Sequence, residues 1–179
     1  MRNAGLVAAL VVTGCTARDA ASPAPTTTVP PAPRQAIEIT ADHRGLDDTL
    51  LVGQPVGGQT VLYTLDLPFG IADRRVVDGD GGLVVSGLDA TSPDGRHAAS
   101  FADAALHLDE RSFPMKGVGH VVGGLAWSPD SEAVYFLAGS GDGSADRIIG
   151  LAVGGSPQTV ATFHQRGFYG LAVTQDLTS

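Results

Sequence analysis

The chain has a single cysteine, a single lysine and few charges of either sign, and each scarcity closes off a class of protein. Cys15 alone excludes an intramolecular disulfide and a thiolate metal cluster. Charged residues are 17% of the 179, while glycine (24) and proline (11) are plentiful, a poor composition for a soluble helical bundle rich in Glu and Lys. Lys116 is the sole lysine and the formal net charge is -8, the opposite of what a nucleic-acid binder needs, since phosphates are met mainly by Lys and Arg. A GxxxxGKS phosphate loop, an HExxH zinc pair and a GxSxG nucleophile elbow are all missing. His43, His97, His107, His120 and His164 are scattered without metal-ligand spacing. No catalytic residue, cofactor site or metal site is expected from these motifs. What remains is a turn-rich, all-β composition.

The first residues differ from the rest. MRNAGLVAALVV has one basic residue followed by an apolar run too short for a bilayer, which needs about 20 residues, and it reads as a signal-peptide core. The run ends in VTGC, Val12-Thr13-Gly14-Cys15. This resembles the lipobox of bacterial lipoproteins, in which small residues precede a cysteine that is acylated on sulfur and becomes the mature N-terminus. The resemblance implies a lipoprotein signal peptide over residues 1–14 and palmitate-type acylation at Cys15. It also implies anchorage on the extracytoplasmic face of a bacterial cell membrane, where more than one acyl chain makes attachment stable.

Behind the cysteine, TARDAASPAPTTTVPPAPRQ holds five of the eleven prolines and almost nothing that could pack. Residues 15–35 are therefore expected to be the lipidated N-terminus and an extended linker, reaching roughly 60 Å at about 3.1 Å per residue.

From residue 36 to 179 short β-like runs dominate: AIEIT, TLLV, TVLYTL, RRVV, GLVVSGL, HAASF, AALHL, VVGGLAW, AVYFLAG, RIIGLAV, QTVATF and FYGLAV. Gly, Pro, Asp and Ser clusters separate them, and none keeps a helical period beyond two turns. Ser92-Pro93-Asp94-Gly95 recurs as Ser128-Pro129-Asp130-Ser131. The phrase suits a strand reversal: Ser opens a type I turn, Pro presets φ at its second position, and Gly favours the fourth. GLDAT and GLAW precede the two turns, and GLAVTQD repeats the phrase at Gly170 to Asp176. Asp48, Asp94, Asp130 and Asp176, at intervals of 46, 36 and 46, mark four starts of one unit. The spacing is that of a four-stranded propeller blade, about 40 to 45 residues.

GLAWSPDSEAVYFLAG and LDATSPDGRHAASF resemble the WD40-like (PD40) repeats of the TolB-type β-propeller, most closely over Gly123 to Phe163. The resemblance implies an array of about three four-stranded antiparallel blades plus one strand, a fold commonly used to bind proteins or small ligands, and carries over no catalytic residue. A closed ring typically has four to eight blades, so the array reads as an incomplete propeller. Truncation, assembly of two or more copies, or an open curved array would each account for this. Closure in many propellers borrows a strand from the far end of the chain: FYGLAV could be the innermost strand beside TLLV, TVLYTL and RRVV, and AIEIT competes for that place. A truncated array is expected to expose apolar blade faces and sheet edges at both ends.

Two loops, Asp78 to Gly82 and Gly141 to Gly143, are similar to calcium loops but lack the full ligand set and read as ordinary connections. Trp127, beside the second turn, reads as packing between blades. The functional expectation is a membrane-anchored binding or scaffolding module with no evident catalysis and an unidentified protein or small-molecule partner. The alternative is an accessory propeller, or a fragment, of a cell-envelope enzyme.

Overall fold

The computed structural model describes residues 37–40, 45–67, 70–83, 87–142, 145–164 and 167–174, all within the compact unit Pro31–Ser179. The leader, Cys15, the linker, His43 and Asp176 lie outside the described residues. Among the described residues thirteen strands follow in order: β1 (Ile37–Ile39), β2 (Thr49–Val56), β3 (Gln59–Asp66), β4 (Gly70–Asp78), β5 (Asp89–Thr91), β6 (Ala98–Ala102), β7 (Ala105–Leu108), β8 (Arg111–Pro114), β9 (Val118–Trp127), β10 (Ala133–Ser140), β11 (Asp146–Ala152), β12 (Gln158–Phe163) and β13 (Tyr169–Thr174). There is no helix among the described residues.

The strands form three antiparallel sheets. An amino-terminal sheet has the order β13-β2-β3-β4, a short-stranded sheet β5-β6-β7-β8, and a central sheet β1-β12-β11-β10-β9. The all-β expectation holds. FYGLAV takes the place beside TLLV: Leu171 pairs with Val52 and Thr174 with Thr49. AIEIT goes instead to the outer edge of the central sheet, where Ile37 pairs with Phe163 and Ile39 with Ala161. The extra strand is therefore β1, and GLAV, which opens the last unit start, falls in the sheet that follows Asp48. Four starts make three sheets because the third copy of the phrase supplies the inner strand that the first unit lacks.

Burial explains the layering. β10, AVYFLAGS, is buried at every position except its last. Ala133, Tyr135 and Leu137 pack with Leu50, Val52, Val61, Tyr63 and Leu65 of the amino-terminal sheet. Val134, Phe136 and Ala138 pack with Ala99, Leu106 and Leu108 of the short-stranded sheet. Successive side chains of a strand point to opposite faces, so a strand apolar at every position is one covered on both sides. The two other sheets lie on opposite faces of the central one and do not close a ring with each other.

The inner strands β9 and β13 cross where both have glycine. A Cβ on Gly123 would stand 2.9 Å from the backbone nitrogen of Gly170, and the two residues have φ of +85° and +63°. On the other side of β13, Leu83 fills a notch over Gly53 and Gly170.

The outer face of the short-stranded sheet differs from the expectation of an exposed apolar blade. In the short-stranded sheet Asp89, Ser100, His107 and Ser112 stand in one cross-strand row, opposite in facing to the buried Ala99 and Leu106. The large apolar residues exposed among those described, Val56, Ile71, Leu88 and Val153, are spread over four separate places in the chain.

Candidate functional site

The repeated turns are built by the same hydrogen bonds. Ser92 Oγ donates to Asp94 Oδ1 (2.6 Å) and accepts from the His97 N–H (3.0 Å); Ser128 Oγ donates to Asp130 Oδ1 (2.5 Å) and accepts from the Ala133 N–H (2.8 Å). In each copy the aspartate accepts a second bond from the N–H two residues on, Arg96 or Glu132, at 3.0 Å. Both serines are buried, so their hydroxyls have to be satisfied locally, and the aspartate three positions into the phrase does it. These bonds hold the Asp94 and Asp130 carboxyls below the ordinary carboxylate value, with the serine hydroxyl the larger cause and the backbone N–H the next.

The two turns are also bonded to each other. Ser131 occupies the place of Gly95 with φ of +69° against +73°, a left-handed conformation unfavourable for serine. Its Oγ accepts the backbone N–H of Asp94 at 3.1 Å, tying the short-stranded sheet to the central one. Nearby, Trp127 donates Nε1–H to the Ala90 carbonyl (3.2 Å) and stacks on His97, whose Nδ1 lies 2.8 Å from Asp109 Oδ2. Trp127 thus bridges two sheets. The Ala98 N–H, and after it His97, hold the Asp109 carboxyl below its ordinary value.

Two clefts open at this end of the molecule and share Asp130. One, of about 280 Å³, is lined by Asp47, Asp48, Asp66, Asp130, Thr49 and Thr174 among others. The other, of about 530 Å³, includes Asp94, Arg96, His97, Asp130, Ser131 and Glu132. In the first, Tyr135 reaches from β10 to donate its hydroxyl to Asp48 Oδ2 at 2.6 Å. Burial nevertheless raises the Asp48 carboxyl above its ordinary value, outweighing that bond, and the negative fields of Asp130, Asp47 and Glu132 add to it. Burial and Asp48 together raise the Tyr135 phenol. Among the described residues no cationic side chain lines the smaller cleft, so a guest there is favoured if it is neutral or positively charged.

Sequence reasoning treated Asp48, Asp94 and Asp130 as punctuation of a repeat; the fold gathers them around adjoining clefts. Asp47, Asp66, Glu132 and Tyr135 were missed, because only the packing of one sheet on another brings them in. Cys15 lies outside the described residues. The remaining histidines stay apart: His107 in the outer row, His120 over Gly139, His164 beside Glu38 at 3.3 Å. No group of three His, Cys, Asp or Glu that could hold a metal converges among the described residues. In the first calcium-like loop, Asp80 Oδ1 accepts the Gly82 N–H (2.9 Å) and Asp78 Oδ1 accepts from Gln59, so one oxygen of each carboxylate is engaged locally. Gly143 of the second lies outside the described residues.

Fold and clefts define a class no narrower than an all-β protein of three layered antiparallel sheets with an acidic turn end. No family model matches the chain, and no curated protein matches it in sequence.

Proposed function

We propose that the chain is a lipid-anchored binding or scaffolding module on the extracytoplasmic face of a bacterial membrane, with its sheets acting as propeller-like blades. Cys15 carries the lipid, the Pro-rich segment is the spacer, and the clefts at the turn end receive the partner. The leader and its cysteine support the anchor, and the recurring GLxx-SPD phrase supports the blades. The observation that carries the binding role is the meeting of turns from different sheets around two clefts that share Asp130. The carboxylates select a partner with positive charge.

Binding of an oligolysine peptide, measured by calorimetry against an oligoglutamate of equal length, tests the cleft. The expected outcome is association with the first alone, weakened about tenfold by Asp47→Asn with Asp66→Asn and by raising salt. Equal or absent binding of the two peptides would remove the clefts as the site. Loss of palmitate labelling in Cys15→Ser, with release from membranes, is the expected result for the anchor.

The second reading, an accessory propeller or part of a cell-envelope enzyme, has one local feature in its favour. His97, oriented by Asp109, lines the larger cleft. Substrate turnover abolished by His97→Gln would support it.

A further inference from the structure

β4 is the long strand whose outer side is open among the described residues. It ends the amino-terminal sheet and packs closely on no strand but β3. Other edges are short or covered: β1 caps β12, β8 has four residues and ends in Pro114, and β5 and β13 both lie against β9. An open edge of nine residues is a template for another strand unless something blunts it. Charges are the usual means, and β4 has them, but in an arrangement that favours one partner.

Arg74 and Asp78 stand symmetrically about Val76, on the same face of the strand. If a second β4 pairs antiparallel about a two-fold axis at Val76, Arg74 falls opposite Asp78 of the partner subunit, Arg75 opposite Val77 of the partner subunit, and Val76 opposite its own mate. No like charges oppose one another in this register, and residues 74–78 all lie on the regular side of the bulge that follows Asp73 toward Ile71. Centring the pair on Arg74 or Arg75 would instead set that arginine against its own mate, which is destabilising.

Three observations support the pairing. Arg74 Nε is buried without a hydrogen-bond partner, although its guanidinium lies 5.9 Å from the centre of the Tyr63 ring. Nε itself is closed to a second chain, but a carboxylate directly across the strand boundary, with Cβ atoms about 5 Å apart, meets the positive charge that the guanidinium fixes on this face of β4. The Arg74 backbone N–H is bonded at an exposed position by the adjacent Asp73 Oδ1, at 2.7 Å. Backbone groups alternate in direction along a strand, so those of Val76 and Asp78 point to the open side with it, as an added strand requires. Val76 already packs against the core shared with the central sheet, and its mate would extend that apolar surface.

We propose that two copies of this chain join through β4, antiparallel about Val76, so that their amino-terminal sheets merge into one continuous sheet with reciprocal Arg74–Asp78 ion pairs. The interface lies apart from the acidic clefts and does not depend on their role. Sedimentation velocity of the full chain carrying Cys15→Ser, which removes the lipidation site, tests it. The expected species at micromolar concentration is a dimer. Asp78→Arg weakens it by about tenfold or more, Asp80→Arg in the adjoining loop leaves it unchanged, and Arg74→Asp combined with Asp78→Arg restores it. Arg74 touches Tyr63, so the double variant is scored only if it still melts cooperatively. Asp78→Arg decides the matter alone, since Asp78 is exposed. A monomer throughout the micromolar range, or a dimer indifferent to Asp78→Arg, overturns the proposal.

Discussion

The surroundings of Asp48 and Asp130 push their carboxyls in opposite directions. Asp130 is bonded by Ser128 and by the Glu132 N–H, which favour its charged form. Its contribution to stability is present above the unfolded value near 3.8 and is lost as pH falls through the lower folded value; Asp94 and Asp109 behave alike. Asp48 has the reverse sign. With its folded value raised, it stabilises most below 3.8, and that contribution disappears as pH rises through the folded value. At neutral pH its charge faces Asp47, Asp130 and Glu132 and weakens the fold. Asp48→Asn keeps an oxygen to accept the Tyr135 hydroxyl without the charge. It is therefore expected to stabilise the protein at pH 7 by up to about 1 kcal/mol, discounted for solvent screening, with the gain shrinking to nothing below pH of about 4. Urea unfolding across that range checks it, and a variant less stable than the parent at pH 7 would show that the carboxylate makes a net favourable contact.

At the scale of elements, the strands were legible and their neighbours were not. HAASF, AVYFLAG and QTVATF fall almost on β6, β10 and β12 because Gly, Pro and Asp clusters bound them locally. The blurred run near RSFPMKG becomes β8, closing the short-stranded sheet by hairpin. Which distant strand sits beside β2 depends on contacts formed only after the sheets pack, so FYGLAV and AIEIT competed on equal terms in the sequence. Gly123, which stands just before GLAW, and Gly170, which opens GLAV, carry the same lesson. Nothing in the repeated phrase marks them as a pair, whereas their task is to let β9 and β13 touch. Gly123→Ala would drive a methyl to within 2.9 Å of the Gly170 nitrogen, and Gly170→Ala would bring one to 2.9 Å from Leu83 Cβ, each at positive φ. Each substitution is expected to destabilise by about 2 kcal/mol or more. The pair should cost more than the sum, because a methyl on Gly123 presses the Gly170 backbone toward Leu83, which a methyl on Gly170 already crowds. Urea midpoints of the two single variants and the double check this; full additivity would mean that the strands do not share that contact.

For the whole molecule, the central fact is that one sheet is covered on both faces while its neighbours are joined to it by strands and turns from distant parts of the chain. The acidic clefts were illegible for this reason: Asp48, Asp66 and Asp130 belong to two different sheets and meet only through the layering. The amino-terminal sheet shows the same dependence, since its inner strand arrives from the far end of the sequence. Thr174 pairs with Thr49, so the end of β13 and the start of β2 stand side by side where the other two sheets have an SPD turn. If the first and last unit starts are halves of one turn, the chain can be recut without loss of architecture. A circular permutant beginning at Gly87, running to Thr174, continuing through a short Ser-Pro-Asp-Gly turn into Asp48 and ending at Leu83 would make every four-stranded sheet sequential. It omits β1 and its three pairs on β12, so it should melt a few degrees lower, yet with one cooperative transition and an unchanged β-type circular dichroism spectrum. A permutant that fails to fold while one of the same length, retaining Thr49 as the free start of β2, succeeds would show that β13 does not complete the amino-terminal sheet.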